Sequence, residues 1–473
     1  MAAIGSGGLL GTSQASAQCA GSEATFLELL SNSHSPSVSW DLTQGGPVQM
    51  QVVVSTCLLL LLSILGGYVC PTLSDTCLCP LSANQLLAGP LRTIFLLLML
   101  IVLLLVGVLH VHVKLFLPAE VEGPPVTNIM FLKTHKTASS TVLNILYRFA
   151  EMHNLSVALP MGPNIHLGYP WLFLARYVED ALQAGSPRQF NIMCNHLRFN
   201  LPEVQKVMPK GTFYFSILRH PVTQLESSFI YYKNVAPAFR AVQSLDTFLE
   251  APHRFYKAGL ENVYARNNMW FDLGFDGDAP AEDDYVREHL EEVERRFQLV
   301  LIAEHFDESM VLLRHRLSWH LDDVVAFRLN ARNPRSVSRL SPLGQERALS
   351  WSALDWRLYL HFNRTFWAQV HAELGPRRLR AEVEQLRTRR QELQTLCLQN
   401  GPPRSGASIA DPQLRPYQSG DADILGYVLR PGLDDATLHL CQRMVMPEIQ
   451  YMARLYSLQF PQKPPKRIPF LEH

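Results

Sequence analysis

Positive charge is missing from the first part of the chain. The 473 residues include 42 Lys and Arg against 42 Asp and Glu, yet no Lys or Arg precedes Arg92. Because the formal net charge is zero, the overall charge does not favour nucleic acid as a partner. Charged residues make up 18% of the chain, below the roughly 25% that is typical of soluble domains. This deficit indicates that long apolar segments are present.

Two kinds of site are also missing. No His and Cys residues have the spacing of a zinc site, and we therefore predict no metal. The Gly-rich Walker loop that ends in Lys-Ser or Lys-Thr is absent as well, which argues against a phosphate-loop kinase using ATP and magnesium.

Two apolar segments account for the low charge. Residues 94–113 contain an apolar run of the length, about 20 residues, that crosses a bilayer. Residues 52–69 are interrupted by Ser, Thr and a Gly pair and are borderline. We predict that 94–113 is an uncleaved signal anchor, with the side that carries Arg92 in the cytosol and everything after the anchor in a lumen. Residues 1–91 do not resemble a folded domain, and the sequence leaves open whether 52–69 also spans.

The part after the anchor divides into three. A short stem is predicted at 114–126, a folded domain at 127–460 and a Pro/Lys-rich tail at 461–473. Glycosylation sequons at Asn154 and Asn363 fit a lumenal chain.

The cysteines fit the same compartment. In an oxidising lumen Cys397 and Cys441 could pair, closing a loop of about 45 residues that contributes roughly 4 kcal/mol in the chain-entropy model. Cys194 lies in an apolar, strand-like run, which predicts a buried free thiol.

The domain alternates apolar strands with amphipathic helices. This pattern predicts an α/β fold with a mainly parallel central sheet flanked by helices. Ligands of such sheets bind at the carboxyl ends of the strands. The predicted strands are 128–132, 190–194, 212–218 and 299–303, and the clearest helices are 139–153 and 283–297.

A charged helix is predicted at 376–397. Its leucines have heptad-like spacing, but the stretch is barely three heptads long and Arg390 interrupts the seam. We therefore favour a helix lying on the domain over a dimerising coiled coil, and a homodimer stays open.

One strand end carries the components of a phosphate site. The run 129–132 leads into a turn rich in lysine and hydroxyl groups, and a helix follows. A helix N-terminus beside lysines binds anions through backbone N–H groups and full charge. The alternative is an ordinary turn with a Ser/Thr cap. The predicted anion ligands are Lys133, Thr134, Lys136, Thr137, Ser139, Ser140 and Thr141.

Two other strand ends carry further candidates. Arg219 follows the strand 212–218, and Ser227 lies two turns into the next helix, so the two side chains can converge on a second phosphate. The alternative is a salt bridge between Arg219 and Glu226. His196 follows the strand 190–194 and is placed to act as a general base.

These segments resemble the galactose 3-O-sulfotransferases. Residues 131–141, Phe-Leu-Lys-Thr-His-Lys-Thr-Ala-Ser-Ser-Thr, are similar to that family's 5′-phosphosulfate loop, and residues 219–229 are similar to its 3′-phosphate motif. Further matching stretches are 194–199, 267–274, 303–309 and 424–427, so that the resemblance covers residues 121–470.

The resemblance implies a P-loop-like sulfotransferase fold in a type II, single-pass Golgi membrane protein. The donor would be 3′-phosphoadenosine 5′-phosphosulfate, and the acceptor the 3-hydroxyl of terminal β-galactose on the N- and O-glycans of glycoproteins. A galactosylceramide-type glycolipid acceptor and an inactive, membrane-anchored glycan-binding protein are the alternatives. The linkage beneath galactose stays open.

The resemblance also suggests roles for individual residues. His196 would be the general base and Lys136 would neutralise charge on the leaving group. His135, inside the loop, is the rival base. Arg198 and Tyr169 are candidate contacts to the sugar.

Overall fold

The computed structural model describes residues 97, 99–107, 123–183, 186–399 and 403–468. Residues 97 and 99–107 are helical and belong to one compact unit, and all the other described residues belong to a second. No helix within these ranges has both the length and the apolar character needed to cross a membrane. The N-terminal region 1–91, most of the stem and part of the predicted anchor at 94–113 lie outside the described residues.

A parallel sheet forms the centre of the second unit. The described strands are β1 (Ile129–Leu132), β2 (Leu182–Gln183), β3 (Ser186–Pro187), β4 (Ile192–Met193), β5 (Phe213–Leu218), β6 (Leu299–Ile302), β7 (Arg404–Ser405) and β8 (Leu425–Gly426). The central sheet has four strands in the order β4–β1–β5–β6. Two small antiparallel pairs, β2–β3 and β7–β8, lie outside it.

Helices flank the sheet. In chain order the described α-helices of this unit are α1 (Ser139–Met152), α2 (Leu201–Val207), α3 (Pro221–Tyr231), α4 (Pro237–Arg240), α5 (Leu245–Glu250), α6 (Pro252–Phe255), α7 (Asn268–Asp272), α8 (Asp283–Arg296), α9 (Phe306–Leu317), α10 (Leu321–Val324), α11 (Pro342–Trp351), α12 (Ala353–Glu373), α13 (Gly375–Cys397), α14 (Asp435–Val445) and α15 (Glu448–Gln459).

The predicted α/β class and parallel central sheet are confirmed. All of β1 is buried, from Ile129 to Leu132, as expected for a continuous apolar run covered on both faces. β4 is shorter than the predicted 190–194, since only Ile192 and Met193 pair with β1. The amides of Phe190 and Asn191 donate to the carbonyls of Val207 and Ser156.

The helix predicted at 376–397 is α13, and it lies on the domain as expected. Leu379, Val383 and Leu386 are buried, and the helix packs against α9 and α12. Arg390, which interrupts the heptad pattern, donates to Asp307 at the start of α9. The apolar stripe of α13 is therefore buried against helices of its own chain.

The two sequons differ in accessibility. Asn154 is exposed just after α1, with a φ of 51°. Asn363 is half-buried within α12, and its Oδ1 is buried without a hydrogen-bond partner among the described residues. The exposed position of Asn154 suits glycosylation, and glycosylation of Asn363 stays a prediction.

The sulfur atoms of Cys397 and Cys441 are bonded, which joins the end of α13 to α14. Cys194 is a buried free thiol. The bonded pair is separated by 44 residues along the chain, so the bond restricts the unfolded chain considerably.

We expect the double variant Cys397→Ser, Cys441→Ser to lose about 4 kcal/mol of unfolding free energy, because its unfolded chain regains the freedom of the open loop. Urea denaturation of the purified protein measures this loss. The single variant Cys441→Ser should lose a similar amount, and a reducing agent should destabilise only the unaltered protein. An unfolding midpoint that neither variant changes would contradict a stabilising bond.

Candidate active site

The ends of three neighbouring strands meet at one edge of the sheet. Lys133 follows β1, Arg219 follows β5, and His196 lies shortly after β4. The parallel register pairs β1 with β4 on one side and with β5 on the other, so the carboxyl ends of these strands share an edge. All three side chains line one cavity of about 610 Å³.

The turn between β1 and α1 is shaped for an anion. Lys136 and Ala138 have φ angles of 61° and 64°, in the left-handed region that costs L-residues roughly 1–3 kcal/mol and that recurs at functional sites. Helix α1 begins directly afterwards at Ser139, and the first amides of a helix have no partner within the helix. Such a turn presents backbone N–H groups to a bound anion.

Several predicted hydroxyl ligands hold the turn itself. The hydroxyls of Thr137 and Ser139 donate to the carbonyl of Thr134, at 3.1 and 2.7 Å. Thr134 in turn donates to the carbonyl of Ile217 in β5. Thr134 is buried and does not line the cavity, so its predicted role in ligand binding is replaced by one in anchoring the turn. The cavity is lined by the other four predicted hydroxyl residues of the turn and helix, Thr137, Ser139, Ser140 and Thr141.

Lys133 lies between a histidine and a carboxylate. Its Nζ is 2.7 Å from His196 Nε2 and 3.2 Å from Glu448 Oε2. The same carboxylate oxygen accepts a hydrogen bond of 2.9 Å from Ser140. Glu448 is the first residue of α15, and the sequence analysis did not identify it. Its charge opposes that of Lys133 and fixes the direction of the amine.

The hydrogen bonds of His196 define its tautomer. Nδ1 lies 2.8 Å from the carbonyl oxygen of Lys133 and must donate to it. Nε2 is then the unprotonated nitrogen, and it accepts from the Lys133 amine. Burial, with the nearby charges of His135 and Lys133, lowers the pKa of His196 well below its usual value. His196 is therefore neutral at pH 7 and carries a lone pair at the cavity.

His135, the rival base, has a different environment. Its backbone N and Nδ1 lie 2.8 and 2.9 Å from Asp272 Oδ2. Its ring is stacked on that of His196, with centroids 3.8 Å apart. The His135 side chain is buried and does not line the cavity. The geometry thus supports His135 as the residue that positions the ring of His196.

Lys136 and Arg219 are close neighbours. Arg219 Nη1 donates to the carbonyl of Lys136 at 3.0 Å, and its Nε donates to Thr223 at the same distance. The Nζ of Lys136 lies 3.6 Å from the centre of the Tyr231 ring. Burial, assisted by the charges of Lys133 and Arg219, lowers the pKa of Lys136 to about 7. A bound anion would restore its full charge.

The salt bridge considered between Arg219 and Glu226 is not formed. Both oxygens of Glu226 instead accept from Arg332 Nη2, at 2.6 and 2.5 Å. Ser227, next to Glu226 in α3, lines the cavity with Arg219 as predicted.

Arg332 is a further cation that the sequence analysis missed. It lines the cavity, and its Nε and Nη1 are buried without a hydrogen-bond partner among the described residues. Because Arg332 also lines the cavity, its two unpartnered nitrogens leave hydrogen bonds that a bound anion could accept. The segment 328–332 holds two arginines and an asparagine in an irregular loop, and that cluster was the only available signal.

The two predicted sugar contacts, Arg198 and Tyr169, lie in different surroundings. Arg198 donates to the carbonyls of Gly274 and Phe275, at 3.2 and 2.9 Å, and does not line the cavity, while its Nε is buried without a hydrogen-bond partner among the described residues. Tyr169 is buried, its hydroxyl accepts from Asn268 at 3.0 Å, and it lines a second cavity beside the first.

The described residues contain no group of His, Cys, Asp and Glu that could hold a metal ion. What they do contain is a cationic cavity with a neutral histidine at one end and unpaired donors elsewhere. This arrangement suits transfer of a group from a phosphate-bearing donor to a nucleophile that loses a proton. The fold and the site thus define an α/β transferase.

Comparison with known proteins identifies the family. The galactose-3-O-sulfotransferase family profile matches residues 43–459. Human galactose-3-O-sulfotransferase 2 is 71% identical over 384 residues, covering 80% of this chain and 96% of the relative. The mouse protein of the same name is 66% identical over 79% of this chain and 96% of the relative. The chain belongs to the galactose-3-O-sulfotransferase family, and it is a sulfotransferase enzyme.

A third relative is less similar to this chain. Human galactosylceramide sulfotransferase is 43% identical over 339 residues, covering 71% of this chain and 79% of the relative. The chain is therefore more similar to the two galactose-3-O-sulfotransferase 2 proteins than to this galactosylceramide enzyme.

The lowered pKa of Lys136 can be tested by labelling its amine at different pH values. Because the amine is neutral above pH 7, we expect an N-hydroxysuccinimide acetate probe to acetylate Lys136 with a rate that rises through a midpoint near pH 7. Peptide mass spectrometry over a pH series measures this rate. Lys136→Arg provides the control, since the labelled peptide must disappear. A midpoint above pH 9.5 would show that burial and the neighbouring cations do not lower the pKa of Lys136.

Proposed function

We propose that this enzyme transfers sulfate from 3′-phosphoadenosine 5′-phosphosulfate to the 3-hydroxyl of terminal β-galactose on the N- and O-glycans of glycoproteins. One observation carries the proposal: the unprotonated Nε2 of His196 and the cations Lys136 and Arg219 share a single cavity. A base and a donor site are thus close enough to act on one pair of substrates.

The cavity offers two groups of ligands for the donor. Lys133, Lys136 and the amides at the start of α1 suit the 5′-phosphosulfate, since a helix N-terminus and lysines favour anions. Arg219, Ser227 and Arg332 suit the 3′-phosphate, because a guanidinium binds two phosphate oxygens at once. The unpartnered Nε and Nη1 of Arg332 support this assignment.

His196 starts the reaction in this proposal. Its Nε2 accepts the proton of the galactose 3-hydroxyl as that oxygen forms a bond to sulfur. The bond between sulfur and the bridging oxygen of the 5′-phosphate breaks, and its electron pair stays on the phosphate. Lys136 neutralises the negative charge that develops there. The products are the 3-sulfated galactoside and adenosine 3′,5′-bisphosphate.

Lys133 has to release His196 before this step. In the structure the amine of Lys133 donates to the nitrogen that must accept the proton, at 2.7 Å. A phosphosulfate group offers Lys133 a charged acceptor in place of a neutral imidazole, and charge-assisted bonds are stronger. The arrival of the donor therefore frees the lone pair of His196.

The proposal includes a Golgi location, with 94–113 as the anchor of a type II membrane protein. A bonded pair such as Cys397–Cys441 forms in oxidising compartments. The exposed sequon at Asn154 fits a lumenal face. Both features agree with a domain that meets glycoproteins in the secretory route.

The direct test is transfer of radiolabelled sulfate from the donor to a panel of β-galactosides. The panel includes a galactoside blocked at its 3-hydroxyl and galactosylceramide. We expect transfer to free β-galactosides and none to the blocked one. Transfer to the blocked compound would refute the 3-hydroxyl as the position of attack. A preference for galactosylceramide would indicate a glycolipid acceptor in place of glycoprotein glycans. No transfer to any acceptor, with binding to glycans retained, would indicate an inactive glycan-binding protein.

We expect His196→Ala to lower kcat at least ~10²-fold, because the acceptor loses its general base. Binding of adenosine 3′,5′-bisphosphate, measured by isothermal titration, should survive. His153→Ala, at an exposed histidine outside the cavity, is the matched control and should keep normal turnover. Near-normal turnover in His196→Ala would assign the base to His135 or to a carboxylate.

Arg219→Ala should weaken the binding of adenosine 3′,5′-bisphosphate by about 10- to 100-fold, as expected for the loss of charge-assisted hydrogen bonds to a phosphate. Isothermal titration measures the change. Arg287→Ala removes an arginine whose side chain is 64% exposed and should leave the affinity intact. If the unaltered protein, Arg219→Ala and Arg287→Ala bind the nucleotide with equal affinity, Arg219 is not part of the donor site.

A further inference from the structure

A second cavity, of about 600 Å³, opens beside the first. Ile165 and His166 line both, so the two cavities meet at these residues. The ring of His166 lies perpendicular to that of His196, with centroids 5.3 Å apart. The second cavity therefore approaches the proposed base from the side. Its lining is Met161, Asn164, Ile165, His166, Gly168, Tyr169, Trp171, Arg176 and Tyr177.

The segment that forms this cavity is tied to the segment carrying the base. The amide of Leu167 donates to the carbonyl of His196 at 2.8 Å, and that of Phe173 donates to Arg198 at 2.9 Å. Gly168 has a φ of 78°, and a Cβ there would lie 2.2 Å from the ring of Tyr177. Only glycine allows this close packing. The position of the cavity relative to His196 is thus set by backbone hydrogen bonds and by packing.

The cavity has the composition of a carbohydrate site. Trp171 is 61% exposed, which is unusual for a side chain that gains so much from burial. Asn164 and Arg176 add polar donors, and none of the residues that line this cavity is a carboxylate. Aromatic rings pack against the apolar faces of pyranoses, while a few polar groups fix the orientation of the ligand.

We propose that this second cavity binds the sugar on the reducing side of the terminal galactose, with Trp171 stacked against its apolar face. The inference rests on the proposed function, because it requires the galactose 3-hydroxyl to lie at His196. A glycosidic bond leaves galactose from C1, two ring atoms from C3, so the next sugar points away from the donor cavity. The cavity that joins the donor site at His166 is then the space available to that sugar.

The test compares two acceptors in the full-length protein: methyl β-galactoside and the methyl glycoside of a β-galactosyl-N-acetylglucosamine disaccharide. We expect Trp171→Ala to lower kcat/KM for the disaccharide by about tenfold through KM, which corresponds to the loss of one aromatic contact. The value for methyl β-galactoside should not change. Trp171→Phe, which keeps a ring, should recover most of the loss.

Leu343→Ala serves as a control, since Leu343 is 53% exposed and lies in α11, outside the cavity. Equal losses on both acceptors in Trp171→Ala, or no loss on either, would overturn the inference while leaving the proposed function intact. An unchanged disaccharide value with a lower rate on galactosylceramide would assign the cavity to a lipid acceptor. Failure of the unaltered protein to sulfate either galactoside would refute the proposed function itself, and this inference with it.

Discussion

The parallel pairing of β1 with β4 on one side and with β5 on the other is the constraint on which the site depends. Parallel strands end at the same edge, so residues that are far apart in the chain, Lys133, His196 and Arg219, become neighbours. The hydrogen bond from His196 Nδ1 to the carbonyl of Lys133 extends this pairing beyond β4 and fixes the tautomer of the histidine. Through this hydrogen bond the pairing of the strands determines which nitrogen of His196 carries the proton.

The site concentrates positive charge and balances it locally. Glu448 lies against Lys133, and Glu226 lies against Arg332. Among the described residues no carboxylate forms an ion pair with Lys136: its amine faces the ring of Tyr231, and burial together with the neighbouring cations lowers its pKa to about 7. Clustered positive charges repel one another, and a bound anion would reduce this repulsion. The local balance of charge in the cavity therefore favours an anionic ligand.

Much of the fold could be predicted from sequence because its signals are local. The buried strands, α1 and α8 follow from apolar periodicity, and the turn at Lys133–Thr137 follows from its lysines and hydroxyls. The same local signals placed Lys133, Lys136, His196, Arg219 and Ser227 at one edge, where the structure has them.

Other features depend on tertiary contacts that no local pattern contains. Glu448 is more than 300 residues from Lys133, and Asp272 reaches His135 across 137 residues. Thr134 and Arg198 have the residue types of ligands, but their side chains bind backbone carbonyls and do not line the cavity. A sequence shows which groups are available near a strand end, but the direction in which each side chain points depends on packing.

A single nucleotide that contacts both cation groups of the cavity would explain why they lie at one edge of the sheet. A crystal structure of the protein with adenosine 3′,5′-bisphosphate would show whether one does. We expect the 5′-phosphate at the start of α1 beside Lys136, and the 3′-phosphate at Arg219 and Ser227. A nucleotide bound elsewhere, or with only one of its phosphates in the cavity, would refute the proposed donor site.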